Sequence, residues 1–277
     1  MRLDDNWPED TRELLPEGNY IVTSLDRRYG YEELREFDFI ATATTGTDHL
    51  ELRDKPLICL RDDLDFLRGI YATAEMTWAL ILSLIRKVPF AHNDVCQGHW
   101  NREAWQGTEL RGKTLGIVGY GRVGQQVAKF AEVFGVKVIA NDLPSDRHDA
   151  PYRDHQVEFC TFETLLKNAD IVTVHVPLTD VTRGMFGAEQ FALMKPTAYF
   201  VNTSRGEVVD TGMLVTALEN KQLAGAALDV LPGEPRPNIP EHPNLLITPH
   251  LGGLTAESRK KTQLRLVEKI KDFIGGA

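Results

Sequence analysis

Residues 114–134 restrict the fold more than any other stretch. An apolar run, Thr114-Leu-Gly-Ile-Val118, has the length of a buried strand, and Gly119-Tyr-Gly-Arg-Val-Gly124 follows it directly. Residues 125–134 then place Val127, Ala128, Phe130, Ala131 and Phe134 at helical spacing, and Gly135 stops the run. Three glycines at this spacing answer three steric needs. The first makes a tight turn, the second lets backbone approach a pyrophosphate, and the third lets helix and strand pack closely. The exposed amides and the positive end of the helix then face the phosphates. A glycine triplet by itself also marks ordinary turns. Here the flanking strand and helix give it context, and so does Asp142 after the next strand-like run, residues 136–140. A carboxylate at that point accepts from ribose hydroxyls and repels a 2′-phosphate. No arginine follows directly, Arg147 being several residues away, so NAD is favoured over NADP.

The middle of the chain repeats the alternation. Residues 170–176, 198–202, 224–230 and 245–248 read as strands, and residues 162–168, 190–194 and 211–220 as helices, the last with Asp210 as N-cap. The class is α/β, with a doubly wound parallel Rossmann sheet. Residues 1–70 give only weak strand signals, at 19–23, 37–43 and 57–60. Next comes a helix over about residues 73–86, apolar on nearly all sides, which is expected to lie buried between domains or subunits. The last helix, over about residues 256–274, sets Leu264, Val267, Ile270 and Ile274 on one face and is expected to pack on a core.

Composition removes several function classes. The net charge of −9 argues against nucleic-acid and anionic-membrane partners, which need a basic face. The longest apolar stretch, residues 78–85, is too short to span a bilayer. The N-terminal twenty residues are polar and acidic and lack the pattern of a secretory signal. Cys59, Cys96 and Cys160 are scattered singletons, which reads as buried thiols in a reducing compartment, with no disulfide and no metal site. A cytoplasmic protein is the expectation.

Three residues near the C-terminus carry the chemistry: Arg205 in Asn202-Thr-Ser-Arg-Gly206, Glu234 in Asp229-Val-Leu-Pro-Gly-Glu-Pro235, and His250 in Thr248-Pro-His-Leu-Gly-Gly253. A guanidinium fork holds a carboxylate, and an imidazole titrating near neutrality exchanges a proton. A carboxylate on the far ring nitrogen fixes the tautomer and favours the imidazolium. Alone, each of the three is an ordinary loop residue. Together, at strand ends beside a dinucleotide fold, they stand where ligands of such folds bind.

The chain resembles the D-isomer-specific 2-hydroxyacid dehydrogenases. The likeness runs through residues 107–124, His175-Val-Pro-Leu-Thr179, Met194-Lys-Pro196, the Arg205-Gly206 and Glu234-Pro235 segments and His250, over about residues 37–255 and in the family's order. It implies two domains with the active site in the cleft between them: an NAD-binding Rossmann domain at 73–253, and a smaller, abbreviated flavodoxin-like α/β substrate domain at 1–72 plus 254–277. It implies hydride transfer between NAD and a small 2-hydroxy or 2-oxo acid, with His250 as acid and base, Glu234 tuning it, and Arg205 binding the carboxylate. The implied cofactor contacts are Gly119, Gly121, Arg122, Val123, Gly124 and Asp142. His175, Val176 and Pro177 would pass the adenosine, with Thr182 after them. Thr203, Ser204 and Asp229 would meet the nicotinamide, and Gly253 and Thr77 complete the set. Thr77 has a bland alternative, since a hydroxyl in a buried helix also bonds back to a carbonyl. Thr45 and Gly46 belong to Thr44-Thr-Gly-Thr-Asp48, which resembles the loop whose amides hold the substrate carboxylate. A homodimer is implied as well.

The N-terminal part departs from this pattern. Only about seventy residues precede the long apolar helix, against about a hundred in the family, and a domain that small buries too little to stand easily alone. A second reading therefore stays open: an NAD(H)-binding regulatory or scaffolding protein on the same fold, with weak or no turnover. The complete trio argues for the enzyme, and the short domain argues mildly for the alternative. Arg53 and Arg61 offer charge for a second anionic group, a role that surface arginines seldom play.

Overall fold

Each strand of the computed structural model runs parallel to the strands beside it. The structure describes residues 1–4, 7–143 and 157–276, and Arg147 lies outside them. The chain divides into two compact units, Met1–Ile70 with Glu234–Arg236 and Gly253–Ala277, and Tyr71–Gly233 with Pro237–Gly252.

The first unit holds four strands, β1 (Arg2–Leu3), β2 (Tyr20–Thr23), β3 (Phe39–Thr42) and β4 (Leu57–Ile58), in the order β1-β2-β3-β4. The order never reverses, and the outer strands have two residues each, so the sheet is abbreviated. Alternation along β2 and β3 explains why both faces are apolar. Tyr20, Val22, Phe39 and Ala41 join Leu266, Val267 and Ile270 of the helix Ala256–Gly275 on one face. Ile21 and Ile40 join Tyr29, Leu34 and Leu50 on the other. Tyr20 stacks on Phe39 at 4.7 Å between ring centres, and Phe273 meets Phe39 edge-on at 4.9 Å. The C-terminal helix therefore covers a sheet built more than two hundred residues earlier, with Thr255 capping its start by accepting from the Ser258 amide.

The second unit holds β5 (Thr114–Val118), β6 (Lys137–Asn141), β7 (Val157–Phe159), β8 (Ile171–Val174), β9 (Tyr199–Asn202), β10 (Gly225–Leu228) and β11 (Leu245–Ile247), in the order β11-β10-β9-β8-β5-β6-β7. The order turns back between β5 and β8, which makes this a doubly wound sheet with its switch point beside β5. On one face Leu115, Ile117, Val138, Ala140 and Val201 pack under the helices Ala72–Ile85 and Arg122–Phe134. On the other, Val172, Val174, Phe200, Ala226 and Leu228 pack under Phe162–Asn168, Ala188–Leu193 and Thr211–Glu219. Asp210 caps the last of these, its Oδ1 accepting from the Met213 amide at 3.0 Å, as the sequence suggested.

The long apolar helix is buried, as its composition implies. Ala72–Ile85 lies within the second unit, against the Arg122–Phe134 helix, β9 and β10. Trp78 anchors it, donating from Nε1 to the Val127 carbonyl at 3.1 Å and stacking on Phe134 at 4.7 Å. All-round apolarity reflects a helix pressed between a sheet and a second helix, with Glu75 and Ala79 left exposed. The strand-like signals at β1 and β7 were too short to read from sequence. Among the described residues no helix is long and apolar enough to cross a membrane.

Candidate functional site

The loops at the carboxyl ends of six neighbouring strands carry most of the residues singled out above. Because the strands are parallel, these ends lie along one edge of the sheet. After β5 comes the glycine loop. Gly119 has φ +92, a left-handed conformation that glycine adopts without strain, and its amide donates to the Asn141 carbonyl at 2.9 Å. A Cβ on Gly119 would also lie 2.8 Å from the His175 carbonyl carbon. Gly124 stands one turn into the helix, where a Cβ would come within 2.3 Å of the Gly119 carbonyl oxygen. Gly121, the N-cap, is different: a Cβ there would meet nothing within 4 Å. The loop is tight behind and open in front, at the end of a helix of 13 residues. A loop of that shape can receive a pyrophosphate.

Arg122 and Val123 begin this helix half-buried, and burial lowers the Arg122 guanidinium from its ordinary pKa. Asp142 follows β6 and is exposed. Its Oδ2 accepts from the Tyr120 amide at 3.0 Å, and its Oδ1 from the Leu143 amide at 2.8 Å. The carboxylate that the sequence marks for a ribose thus also braces the glycine loop.

After β8 the His175 amide donates to the Val118 carbonyl at 2.8 Å, which places His175 and Val176 against Gly119. His175 Nε2 is buried with no partner among the described residues, and burial depresses the ring pKa to about 3. Thr182 ties the rest of this loop together. Its hydroxyl donates to the Pro177 carbonyl at 2.6 Å and accepts from the Thr179 amide at 2.8 Å.

After β9 the organising residue is Asn202, which is fully buried. Its Oδ1 accepts from the Ser204 amide at 2.9 Å and hydroxyl at 2.8 Å, and its Nδ2 donates to the Arg205 carbonyl at 2.8 Å. Arg205 follows in extended conformation, half-buried, with Nη1 donating to the Ser204 carbonyl at 2.7 Å. Gly206 presses on the next loop so closely that a Cβ would lie 2.0 Å from the Leu231 carbonyl carbon. Thr203 is buried, its hydroxyl 2.9 Å from that of Thr77, which in turn donates to the Thr73 carbonyl at 2.8 Å. Thr77 is therefore a buried helix hydroxyl bonded back to its own helix and linked to the β9 loop.

Asp229, at the end of β10, is buried, and desolvation raises its carboxyl above the ordinary range, although its hydrogen bonds and the nearby His250 pull the other way. Oδ1 accepts from the Thr248 hydroxyl at 2.6 Å and the Leu251 amide at 2.8 Å, and Oδ2 from the Gly252 amide at 2.7 Å. The loop after β11 is wrapped around this side chain. His250 sits in its middle with φ +55, its amide donating to the Asp229 carbonyl at 2.8 Å. The family resemblance implies Asp229 as a cofactor contact. The structure adds a positioning role that depends on β10 and β11 being neighbours, and with it the parts played by Asn202, Thr248, Gly206 and Gly252.

Glu234, Gly253, Thr45 and Gly46 belong to the first unit. Glu234 is half-buried and precedes a cis peptide to Pro235. In the loop Thr44-Thr-Gly-Thr-Asp48 the carbonyl of Thr45 accepts from Arg61 Nε at 3.1 Å, that of Gly46 from the Thr44 hydroxyl at 2.7 Å, and that of Thr47 from the Leu50 amide at 3.1 Å. The amides of Thr45, Gly46 and Thr47 have no acceptor among the described residues. Successive free amides with engaged carbonyls make an anion site.

Known proteins resemble this chain in sequence and in fold. Residues 78–252 match the family model described as D-isomer specific 2-hydroxyacid dehydrogenase, NAD binding domain. A glyoxylate reductase of Aeropyrum pernix is 42% identical over 217 residues, covering 74% of this chain and 64% of the relative. A D-3-phosphoglycerate dehydrogenase of Bacillus subtilis is 42% identical over 209 residues, covering 74% of this chain and 39% of the relative. The chain thus spans less than two thirds of the length of either. Among solved structures, a D-lactate dehydrogenase from Aquifex aeolicus complexed with NAD and lactic acid superposes with a TM-score of 0.80 at 26% identity, covering 99% of this chain and 87% of that one.

Proposed function

The chain belongs to the D-isomer-specific 2-hydroxyacid dehydrogenase family, and from that footing we propose that it interconverts a D-2-hydroxy acid and its 2-oxo acid with NAD. The observation that carries the proposal is the single sheet edge on which the glycine loop, Asp142, Arg205, Asp229 and His250 all stand. The glycine cradle and the carboxylate of Asp142 fit NAD. When bound, NAD supplies the hydride acceptor and NADH the donor.

The chain's own residues handle the carboxylate and the proton. Arg205 presents a planar fork to the substrate carboxylate and polarises the C2 oxygen. The free amides of Thr45, Gly46 and Thr47 supply a second set of carboxylate donors. His250 takes the hydroxyl proton as the C2 hydrogen leaves as hydride, and returns it in the reductive direction. Glu234 serves His250 by holding its far ring nitrogen, a role taken from the family resemblance. Gly119, Gly121, Arg122, Val123, Gly124, His175, Val176, Pro177, Thr182, Thr203, Ser204, Gly253 and Thr77 are assigned to the cofactor side on the same basis. The first unit is proposed as the substrate domain and the second as the cofactor domain.

The testing experiment is NADH oxidation against glyoxylate, hydroxypyruvate, pyruvate, phosphohydroxypyruvate and 2-oxoglutarate, with His250→Ala beside the wild type. The expected result is turnover of at least one acid and a loss of about 10²–10⁴ in rate in the variant. A variant with wild-type turnover overturns the mechanism. The four-stranded sheet of the first unit, with two residues in each outer strand, favours a second reading as an NAD(H)-binding regulatory protein. Tight NADH binding with no turnover of any of the five acids would decide for it.

A homodimer is part of the proposal. The helix Val88–Cys96 buries none of its residues, and Val88, Val95 and Trp100 are 56%, 47% and 87% exposed. Exposed apolar side chains on this helix and just after it suit an association surface. Light scattering at micromolar concentration should give twice the chain mass of 31.1 kDa. A reducing, cytoplasmic compartment is proposed from the scattered single cysteines of the sequence, but the expectation that all three are buried is corrected, since Cys96 is exposed and Cys59 and Cys160 are half-buried.

A further inference from the structure

Arg61 lies outside every motif that marks the active site, yet it is fastened to the loop proposed to hold the substrate carboxylate. Its Nε donates to the Thr45 carbonyl at 3.1 Å and its Nη2 to the Thr47 hydroxyl at 2.7 Å. Two of the five N–H donors of the guanidinium are used in this way, and the side chain is exposed.

The two bonds bear on the direction of the loop's peptide groups. A peptide cannot offer its amide outward unless its carbonyl is accommodated elsewhere, since buried or half-buried carbonyls need donors. The carbonyls that share a peptide group with the Thr45 and Thr47 amides, those of Thr44 and Gly46, accept from the Leu60 amide at 3.4 Å and from the Thr44 hydroxyl at 2.7 Å. Among the described residues the Thr45 carbonyl has only Arg61. Without that donor the peptide between Thr45 and Gly46 has no fixed orientation, and its amide, the middle one of the three, is free to turn away. The Thr47 hydroxyl is the second point of the same clip. A fixed cation next to three free amides also raises the local positive potential, which favours an anion at that place.

We propose that Arg61 is a positioning residue for substrate: it sets the Thr45–Gly46 peptide so that the amides of Thr45, Gly46 and Thr47 face a carboxylate. The proposal rests on the reading of this loop given under Proposed function. A guanidinium suits the task because its fork reaches two acceptors at once, whereas an ammonium is a single point on a flexible stem.

Arg61→Ala and Arg61→Lys test it. With whichever 2-oxo acid the wild type reduces best, Arg61→Ala should raise KM for the acid about tenfold while kcat and the KM for NADH change by less than about threefold, the pattern of lost substrate binding. Arg61→Lys should restore little of the loss. The second measurement needs no turnover. In protein labelled with ¹⁵N at threonine and glycine and saturated with NADH, oxamate should shift the amide resonances of Thr45, Gly46 and Thr47 in the wild type, and should do so in Arg61→Ala only at roughly tenfold higher concentration. An unchanged KM for the acid together with unchanged oxamate shifts in Arg61→Ala overturns the proposal, whatever happens to thermal stability. Wild-type turnover with an indifferent Arg61→Ala overturns this proposal alone. Oxamate shifts that depend on Arg61 in a wild type with no turnover would uphold the anion site and overturn the dehydrogenase reading. No turnover and no shifts would overturn both.

Discussion

Asp229 holds the loop of His250 from inside: the His250 amide donates to the Asp229 carbonyl at 2.8 Å, and the Asp229 carboxylate accepts from Thr248 before the histidine and from Leu251 and Gly252 after it. Backbone and side chain of one residue thereby fix a turn whose central residue has φ +55. A non-glycine residue in that conformation costs free energy and persists where its surroundings over-determine it. Three donors converging on one buried carboxylate do this here, and they convert the adjacency of β10 and β11 into a defined position for an imidazole.

Asp229→Asn should expose this dependence. An asparagine oxygen can still accept from Thr248 and Leu251, but its NH₂ then faces the Gly252 amide, donor against donor. The expected stability loss is about 1–3 kcal/mol, the usual cost of an unsatisfied buried donor. Displacement of a reactive group by even an ångström is worth on the order of a hundredfold in rate, so kcat should fall by about that factor. Urea denaturation and steady-state kinetics check the two parts. If Asp229 served the cofactor alone, the loss would appear in the KM for NADH and kcat would stay near wild type.

The glycine loop gives a paired prediction. Gly124→Ala forces a Cβ to within 2.3 Å of the Gly119 carbonyl oxygen and should lower the melting temperature of the protein without cofactor. Gly121→Ala meets nothing within 4 Å, at an unstrained φ of −73, and should leave that melting temperature unchanged. If the open side of the loop is where phosphates lie, the methyl group of Gly121→Ala occupies their space and weakens NADH binding by about tenfold or more. Calorimetric titration with NADH separates the outcomes. Unaltered affinity in Gly121→Ala would remove the pyrophosphate from this loop.

Legibility followed sequence distance. The glycine loop, the strand before it, the helix after it and Asp142 were readable because each is a local pattern with a period or a fixed spacing. Arg205 and His250 stand out as residue types at strand ends. Asn202 and the clamp of Asp229 were hidden, because their roles exist only once β9, β10 and β11 are side by side. The same holds for Arg61, sixteen residues from the carbonyl it serves. For a related reason the composition of the helix Ala72–Ile85 announces burial but does not say against what. The two- and three-residue strands β1 and β7 are shorter than any periodicity can register.

Asp142 joins two functions that a substitution can separate. Its Oδ2 holds the Tyr120 amide within the glycine loop, and its exposed position after β6 suits a ribose. Asp142→Asn keeps an oxygen for Tyr120 and removes the charge, whereas Asp142→Ala removes both. Both should raise the KM for NADH, and both should improve the use of NADPH relative to NADH, because repulsion of the 2′-phosphate is lost. Asp142→Ala should raise both Michaelis constants further than Asp142→Asn does, by the loosened loop. Equal ratios of NADH to NADPH efficiency in wild type and variants would show that Asp142 does not read the ribose.

His175 makes the stability of the fold depend on pH in a predictable direction. Burial holds its pKa near 3, against an ordinary value of 6.5, and its Nε2 has no partner among the described residues. The folded state thus keeps the ring neutral while the unfolded chain protonates it below about pH 6.5. The stabilisation is complete above pH 6.5 and is lost progressively as pH falls toward 3, because the unfolded state binds the extra proton. One such group contributes a slope of at most about 1.4 kcal/mol per pH unit within that window. Asp4, Glu33, Asp63 and Asp170, whose pKa values are lowered by their arginine and lysine partners, add a loss of the same sign, which begins at lower pH, near the ordinary carboxylate range. The part due to His175 is therefore best isolated between pH 6.5 and 5, above the carboxylates. Urea denaturation of wild type and His175→Gln at several pH values in that interval should give a falling stability in the wild type and a flatter profile in the variant. Parallel profiles would mean that the ring is protonated in the folded protein, with solvent or a ligand group reaching Nε2.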